Sequence, residues 1–327
     1  RTRDDVGDVV HRGHSSRDAR RGARVFARRR ARRLSRRRRR RSRARRLPRA
    51  PPHRRRPPFR CVPKPARVPV FAARGYRVIA PDQRGYNLSD KPKHVKDYHI
   101  STLASDIDQL AQTLGYEQIN LVGHDWGAAV AWWMATIFPE RLKKLVILNV
   151  PYPSILRDQW MNGNWDQILK SWYVLFFQVP FIPEAVASLM DYEGPANILR
   201  STSRKGSFTE EDIARYKRAW AQPGALSGMV NWYRALVRES ADRVPEAISG
   251  EKRASKLPRI TVPTLILWGE KDVALTKELA QLSLDLCENG QLIYFPKATH
   301  WLQHDEADAV NAHIESFVST GMPATIE

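Results

Sequence analysis

The charged residues of this chain are divided so unevenly that its two ends cannot fold in the same way. Residues 1–60 contain 26 Arg, no Lys and only four acidic residues, which gives this segment a net charge of +22. The rest of the chain contains 29 basic and 30 acidic residues, a net charge of −1. All ten Trp and all ten Tyr also follow residue 61. Because a highly charged segment with few apolar side chains cannot bury a core, we expect a folded domain only after it.

The arginine-rich segment has more than one interpretation. Arginine side chains bind phosphate groups without sequence preference, so residues 1–60 are consistent with a polyanion-binding arm. Arg without Lys, mixed with Ala, Pro and His, is also the composition expected of a GC-rich gene translated out of frame. No apolar stretch follows the charges, as a secretory signal would require. We interpret residues 1–67 as a disordered or non-native segment and leave non-specific polyanion binding open.

Composition excludes two classes of protein. The longest apolar run, Ala128 to Phe138, is well below the roughly 20 residues that a membrane-spanning helix needs. The two cysteines, Cys61 and Cys287, cannot form a disulfide framework and have no metal-ligand spacing. We therefore expect neither a membrane protein nor a disulfide-rich secreted one, and a reducing, cytoplasmic setting.

The pattern after residue 67 predicts an α/β domain. Apolar runs bounded by turn residues alternate with stretches of helical period, as in a mostly parallel sheet with helices on both faces. Between residues 151 and 257 the alternation stops and aromatic residues become frequent. This predicts a helical cap inserted between two core segments, residues 68–150 and 258–327. The predicted strands are Tyr76 to Ala80, Ile119 to Gly123, Leu145 to Val150, Thr264 to Trp268 and Gln291 to Phe295.

Apolar stripes of helical period predict two of the core helices. The first stripe is Leu103, Ile107, Leu110 and Leu114, and Asp106 and Asp108 lie outside it. The second stripe, near the C-terminus, is Ala309, Val310, His313, Ile314 and Phe317.

A glycine-bounded pentapeptide follows the second predicted strand directly. Gly123-His124-Asp125-Trp126-Gly127 joins this strand to a helix-forming stretch, which is the context of a nucleophile elbow with Asp in place of Ser. The flanking glycines should let strand and helix approach closely. The backbone N–H of Trp126 should point toward charge that develops on the Asp125 carbonyl. The alternative is an ordinary turn in which Asp125 is only a helix N-cap.

Two later strands also end in ionisable residues. Asp272 follows the strand that begins at Thr264, and His300 follows the last strand. Glu270 could substitute for Asp272, and His304 for His300. The carboxyl ends of parallel strands are where α/β sheets place their ligands. The order nucleophile, acid, histidine is that of the α/β-hydrolase fold.

The chain resembles the epoxide hydrolase branch of the α/β-hydrolases over about residues 68–320. The elbow also resembles that of the haloalkane dehalogenases, so it does not separate the two branches. Many dehalogenases carry an acid after the strand that follows the elbow, whereas this chain has Leu148-Asn149-Val150. The motifs that carry the resemblance are the stretch from Gly75 to Asp90, the elbow, Phe138-Pro139-Glu140-Arg141-Leu142 and Thr299-His300-Trp301.

This resemblance implies roles for several residues. Two cap tyrosines, Tyr173 and Tyr233, would hold the oxygen of an epoxide, although they could instead only pack the cap. Asp125 would be the nucleophile, and His300, oriented by Asp272, the base. Trp126 and Trp301 would contact the substrate or the oxyanion. We expect a small apolar epoxide and water as reactants, with no metal or organic cofactor.

The sequence is also compatible with two other functions. One is a haloalkane or haloacid dehalogenase that uses the same Asp125. The other is a catalytically dead hydrolase fold that carries a polyanion-binding basic arm.

One element of the family pattern has no counterpart here. The family has a His-Gly-x-Pro turn after an earlier strand, and its backbone N–H completes the oxyanion hole. No such tetrapeptide occurs in these 327 residues. In the family the third strand lies between the fourth and the fifth. We therefore expect Tyr76 to Ala80 and Ile119 to Gly123 to lack their shared partner, and the chain as it stands to be poorly active.

Overall fold

A computed structural model describes residues 68–241 and 258–324. The predicted basic segment, residues 1–67, and the predicted end of the cap after residue 241 lie outside the described residues. Within the described ranges, no helix has the length and apolarity to cross a bilayer.

In the part of the chain that the structure describes, four parallel strands form the sheet, in the order β1-β2-β3-β4. These strands are β1 (Ile119–His124), β2 (Leu142–Leu148), β3 (Thr264–Gly269) and β4 (Gly290–Phe295). In the pairing register, His124 lies opposite Leu148, and Gly269 lies opposite Phe295. The carboxyl ends of the strands therefore lie along one edge, where the residues that follow β1, β3 and β4 can meet.

Helices cover both faces of the sheet. Because successive strand residues point to opposite faces, Ile147 and Ile266 belong to one buried cluster, and Val146 and Leu265 to another. The core helices are α1 (Val68–Ala73), α2 (Ile100–Thr113), α3 (Trp126–Ile137), α10 (Glu278–Leu284), α11 (Leu302–Asp305) and α12 (Ala307–Thr320). Short 3-10 helices span Val95–Tyr98 and Pro139–Arg141.

Between β2 and β3, the described part of the chain is helical; we call this segment the insertion. Its longest helix is interrupted at residues 189–192, where backbone angles are not helical. The insertion comprises α4 (Pro153–Met161), α5 (Trp165–Lys170), α6 (Trp172–Phe176), α7 (Ile182–Thr202), α8 (Glu210–Trp220) and α9 (Ala225–Ala241).

Four of the five predicted strands are present, and one prediction is wrong. Tyr76 to Ala80 forms no strand. A strand needs a hydrogen-bonded neighbour, and among the described strands β1 pairs only with β2. The β2 strand starts at Leu142, three residues before its predicted start.

One charged residue outside the apolar stripe of α2 is nevertheless buried. Asp108 is buried, and its carboxylate accepts hydrogen bonds from Arg141 Nε at 2.5 Å and from Gln112 Nε2 at 2.6 Å. A carboxylate can be buried at this position because two donors satisfy it.

An apolar groove of about 660 Å³ lies where the expected strand pairing is missing. Residues 76–83 form one side, β1 forms another, and α2 and α12 contribute Leu110 and Ile314. Val122 of β1 is 42% exposed, and Ile79 is 43% exposed. Among the described residues, β1 is therefore an edge strand with an accessible apolar side chain. Apolar surface and an open edge of this kind favour aggregation.

Filling this groove should stabilise the domain. In the N-terminal chimaera, residues 1–67 are replaced by the N-terminal segment of a family member that carries the His-Gly-x-Pro turn. We expect the chimaera to be soluble and to unfold cooperatively, because the added strand pairs with β1 and buries apolar surface at about 25 cal/mol per Å². The full chain should be poorly soluble and should bind the dye ANS. Circular dichroism on heating and ANS fluorescence measure both properties. Equal melting temperatures and no dye binding by the full chain would contradict this expectation.

Candidate active site

The elbow places Asp125 between β1 and α3 in a strained conformation. Its φ of 53° and ψ of −130° lie outside the regions that non-glycine residues usually occupy. The first turn of α3 holds Asp125 there, since the N–H groups of Ala128 and Ala129 donate to its backbone carbonyl oxygen at 2.8 and 3.2 Å. The side chain is 45% exposed and therefore accessible to a substrate.

The two glycines of the elbow differ in their importance. A Cβ on Gly123 would lie 2.5 Å from the Gly127 carbonyl oxygen and 2.6 Å from Ala128 Cα, so only glycine fits there. A Cβ on Gly127 would meet only the Gln83 side chain, at an ordinary contact distance of 3.5 Å. The expectation of close approach is therefore confirmed for Gly123 and wrong for Gly127.

The structure brings Asp272 and His300 together. His300 Nδ1 lies 2.7 Å from Asp272 Oδ2, and both side chains are buried. The other oxygen, Oδ1, accepts from the N–H groups of Ala274 and Leu275 at 2.8 and 3.0 Å. Burial raises the pKa of the Asp272 carboxyl, but the charge and hydrogen bond of His300 and the other donors outweigh it, so the pKa is lowered. Asp272 therefore stays ionised at neutral pH.

The second nitrogen of His300 faces the elbow. His300 Nε2 lies 3.8 Å from Asp125 Oδ1, which places the imidazole beside the Asp125 carboxylate. The two alternatives from the sequence lie elsewhere: Glu270 pairs with Lys277 at 2.9 Å, and the His304 ring stacks on Phe208.

Asn149 belongs to this site, although sequence analysis assigned it no role. It follows β2 with a φ of 48°, and its Nδ2 donates to Asp272 Oδ2 at 2.7 Å. Its Oδ1 accepts from the Gly269 N–H at 2.8 Å. The available signal is the residue type, since Asn tolerates left-handed backbone angles at the end of a strand. An amide thus supports Asp272 at the position where many dehalogenases carry an acid.

Tyr173 and Tyr233 come from α6 and α9 of the insertion, and the fold brings them together. Their ring centroids are 5.9 Å apart, and the Tyr233 ring lies 5.0 Å from that of Trp126. Burial, together with the negative charge of Asp125, raises the pKa of both phenols well above the usual value. Both hydroxyls are therefore protonated at neutral pH and can donate hydrogen bonds near Asp125.

A close backbone contact holds α9 over the elbow. A Cβ on Gly228 would lie 2.5 Å from the Gly85 carbonyl oxygen, so α9 touches the loop before α2 directly. Trp232 Nε1 donates to the Arg84 carbonyl at 2.9 Å. The Trp232 ring also packs edge-on against Tyr86.

Tyr86 is a second residue that sequence analysis did not assign to the site. Burial raises the pKa of its phenol, and the negative charge of Asp125 raises it further. Its hydroxyl is therefore also protonated at neutral pH. The sequence signal is its place in the family-like stretch from Gly75 to Asp90.

Trp301 connects the histidine loop to the insertion. Its indole N–H donates to Thr202 Oγ1 at 2.9 Å, and its ring packs edge-on against Phe208. The ring also lies perpendicular to that of His300, with centroids 5.2 Å apart. The structure thus places Trp301 beside the imidazole and in contact with the insertion.

His124 links the elbow to the same loop. Its Nε2 lies 2.8 Å from the His300 carbonyl oxygen and must donate to it, because a carbonyl only accepts. Its Nδ1 is 3.0 Å from Gln303 Nε2. As for metals, the described residues contain no group of three or more His, Cys, Asp or Glu side chains placed to bind an ion.

Comparison with known proteins identifies the family. The model of the alpha/beta hydrolase fold matches residues 62–307. The AB hydrolase superfamily protein YfhM of Bacillus subtilis is 42% identical over 251 residues, which cover 75% of this chain and 81% of that protein. Epoxide hydrolase 4 of Homo sapiens is 37% identical over 74% of this chain and 65% of its own length.

A solved structure of a Bacillus megaterium epoxide hydrolase with an inhibitor has a TM-score of 0.63 and 28% identity. The match covers 74% of this chain and 83% of that one. The chain belongs to the α/β-hydrolase family. Within that family, it belongs to the branch that contains the epoxide hydrolases. It spans less than two thirds of the length of the human relative and 58% of Epoxide hydrolase 1 of Caenorhabditis elegans.

The elbow geometry predicts opposite outcomes for two similar substitutions. Gly123→Ala should destabilise the protein by about 1 to 3 kcal/mol, because the added methyl overlaps backbone atoms of α3. Gly127→Ala adds a methyl where there is room and should be neutral or stabilising by up to about 1 kcal/mol, because alanine favours a helix. Urea unfolding of the N-terminal chimaera with each substitution measures the difference. Equal losses of stability would contradict the close approach of α3 to Gly123.

Proposed function

We propose that the protein is an epoxide hydrolase that converts an epoxide to a vicinal diol through an ester on Asp125. The observation that carries this proposal is an accessible aspartate at the elbow, with two protonated phenols nearby and an imidazole 3.8 Å from its carboxylate. A serine nucleophile would open an epoxide to an ether, which water does not readily cleave. An aspartate gives an ester, whose carbonyl carbon water can attack.

In the first step, a carboxylate oxygen of Asp125 attacks an epoxide carbon, and the bond from that carbon to the epoxide oxygen breaks. The electron pair stays on this oxygen, which becomes an alkoxide and takes a proton from one of the two phenols, leaving a phenolate. Tyr173 and Tyr233 donate hydrogen bonds to it as its charge develops. Their raised pKa values keep these donors protonated over the whole physiological range.

In the second step, His300 Nε2 takes a proton from water, and the water oxygen attacks the ester carbonyl carbon. Asp272 fixes the tautomer by accepting the Nδ1 proton at 2.7 Å and stabilises the imidazolium that forms. The Trp126 N–H, the first of α3, has no acceptor within its own helix and lies at the positive helix end. It therefore supports charge on the carbonyl oxygen. When the acyl C–O bond breaks, the departing oxygen takes the proton from the imidazolium, and the diol leaves. The Asp125 carboxyl then returns its proton to the phenolate, which restores the carboxylate, the imidazole and the phenol.

The residues around the phenols favour an apolar substrate. Trp126, Phe177 and Trp232 pack against Tyr233 or against one another through their rings. These faces offer apolar contact beside a small number of polar groups, which is the usual composition of a small-molecule site. We propose a small apolar epoxide and water as the reactants.

The two-step scheme predicts that His300→Gln separates the two steps. This variant should consume one equivalent of epoxide per protein and then almost stop, because only ester hydrolysis needs a base. Asp125→Ala should consume none. Rapid-quench measurements of epoxide and diol, on the full chain and on the N-terminal chimaera, show the difference.

Gln281→Ala is a suitable control, since Gln281 is exposed on α10 and donates to the exposed Asp285. It should retain both steps. Multiple turnovers by His300→Gln at the parental rate would exclude His300 as the base.

The proposal also predicts a loss of epoxide opening when a phenol is removed. Tyr173→Phe and Tyr233→Phe should each slow opening by about 100- to 1,000-fold, the cost of one lost oxyanion donor. Pre-steady-state epoxide consumption by the N-terminal chimaera measures this step. Tyr294→Phe is the matched control, because the Tyr294 hydroxyl is exposed and donates to the Lys277 carbonyl.

The same variants test the dehalogenase alternative, which shares the tripeptide Asp125-Trp126-Gly127. Chloride release from chloroalkanes should be low in the parent. If chloride is the main product and the double phenylalanine variant still hydrolyses epoxides normally, the dehalogenase interpretation replaces the proposal.

A further inference from the structure

Asp305 is a buried carboxylate that the reaction itself does not use. It lies at the end of α11, five residues after His300, and is 3% exposed. Its Oδ2 accepts from the Thr299 N–H at 2.7 Å and from Thr299 Oγ1 at 2.6 Å. Its Oδ1 accepts from the Arg204 N–H at 3.1 Å and from Ser207 Oγ at 2.5 Å. One carboxylate thus joins two separate segments of the chain.

The Oδ2 side fixes the backbone around His300. Thr299 directly precedes His300, and its hydroxyl, besides donating to Asp305, accepts from the Trp301 N–H at 3.1 Å. The Asp305 N–H in turn donates to the Trp301 carbonyl at 3.0 Å. Both chain neighbours of His300 are therefore held in a network centred on the Asp305 carboxylate.

The Oδ1 side reaches the insertion. Arg204 and Ser207 belong to the loop that joins α7 to α8, about 100 residues away in the sequence. Next to this loop, Thr202 accepts the Trp301 indole N–H, and Phe208 packs on the Trp301 ring. The same loop thus contacts the histidine segment through both a buried carboxylate and an aromatic side chain.

We propose that Asp305 is a positioning residue that couples the α7–α8 loop of the insertion to the base His300. The distances from His300 to Asp272 and to Asp125 depend on where the backbone of residues 299–301 lies. Asp305 fixes that backbone relative to the insertion, which also carries Tyr173 and Tyr233. The two tyrosines that donate to the alkoxide and the histidine that takes a proton from water are thereby held in fixed positions relative to each other.

This inference rests on the proposed function, because it assigns the effect to ester hydrolysis, the step that uses His300. Removing the coupling should slow that step and leave epoxide opening almost unchanged, since opening needs Asp125 and the tyrosines. A purely structural role would lower the melting temperature and reduce both steps alike.

The neighbouring carboxylate provides a matched control. Glu306 also contacts the α7–α8 loop, through the Arg204 guanidinium at 2.5 Å, but its side chain is 30% exposed and bonds no residue of the 299–301 segment. Asp305→Asn should slow ester hydrolysis by roughly 10- to 100-fold, since a displacement of about 1 Å has a cost of that order. Glu306→Gln should leave both steps unchanged. Single-turnover rates of opening and hydrolysis, in the full chain and in the N-terminal chimaera, provide the comparison.

Milder variants keep the test valid if Asp305→Asn unfolds. Ser207→Ala removes one donor on the insertion side, and Thr299→Val removes one on the histidine side, whereas Thr299→Ser retains the hydroxyl. We expect both deletions to slow hydrolysis, the serine variant to retain the parental rate, and the double deletion to slow it by less than the product of the two single effects. Purely multiplicative effects would show that the two sides are not coupled through Asp305.

A measurement without substrate separates this inference from the proposed function. The proton between His300 Nδ1 and Asp272 should give a downfield NMR signal, assigned by its loss in His300→Gln. Asp305→Asn should shift or broaden this signal, and Glu306→Gln should not. If the parent turns over no epoxide but the signal responds in this way, the coupling stands and the proposed function fails. An unchanged signal and an unchanged hydrolysis rate in folded Asp305→Asn would overturn the coupling.

Discussion

The parallel register of the sheet is the constraint on which the site depends. Because β1, β3 and β4 run in the same direction, Asp125, Asp272 and His300 follow strand ends on one edge. Register alone does not create the site, since β1 must turn sharply for Asp125 to become accessible. Gly123 permits this turn by allowing α3 to approach the strand. The strained backbone of Asp125 persists because the surrounding packing holds it.

The insertion supplies the side chains of the site that do not come from the sheet. It places Tyr173 and Tyr233 near the elbow, and its contacts with Gly85 and Arg84 hold α9 in place. The apolar surroundings and the charge of Asp125 have a chemical consequence, because they keep the phenols protonated. Asp305 connects the insertion to the histidine segment, so the two sides of the site share a buried polar link. Packing of the insertion thus both positions the two phenols and helps to keep them protonated.

The sequence predicted most of the core and the proposed site, for physical reasons that also explain the errors. Strands of parallel sheets are near-continuous apolar runs, so β1, β3 and β4 could be recognised, and their ends indicated Asp125, Asp272 and His300. Tyr76 to Ala80 has the same local pattern, but strand formation depends on a partner, which local pattern cannot reveal. The buried ion pair of Asp108 with Arg141 and the supporting bond from Asn149 join residues 33 and 123 positions apart, so no periodicity shows them.

The most direct test of the account is the fate of oxygen in a single turnover. The N-terminal chimaera, in excess over an epoxide, reacts in water enriched in heavy oxygen, and mass spectrometry locates the label. In the proposed mechanism, the oxygen added to the epoxide carbon comes from Asp125. The first diol should therefore be unlabelled, and the peptide that contains Asp125 should gain one heavy oxygen. Label in the first diol, with none on Asp125, would mean that water attacks the epoxide directly and would contradict the ester intermediate.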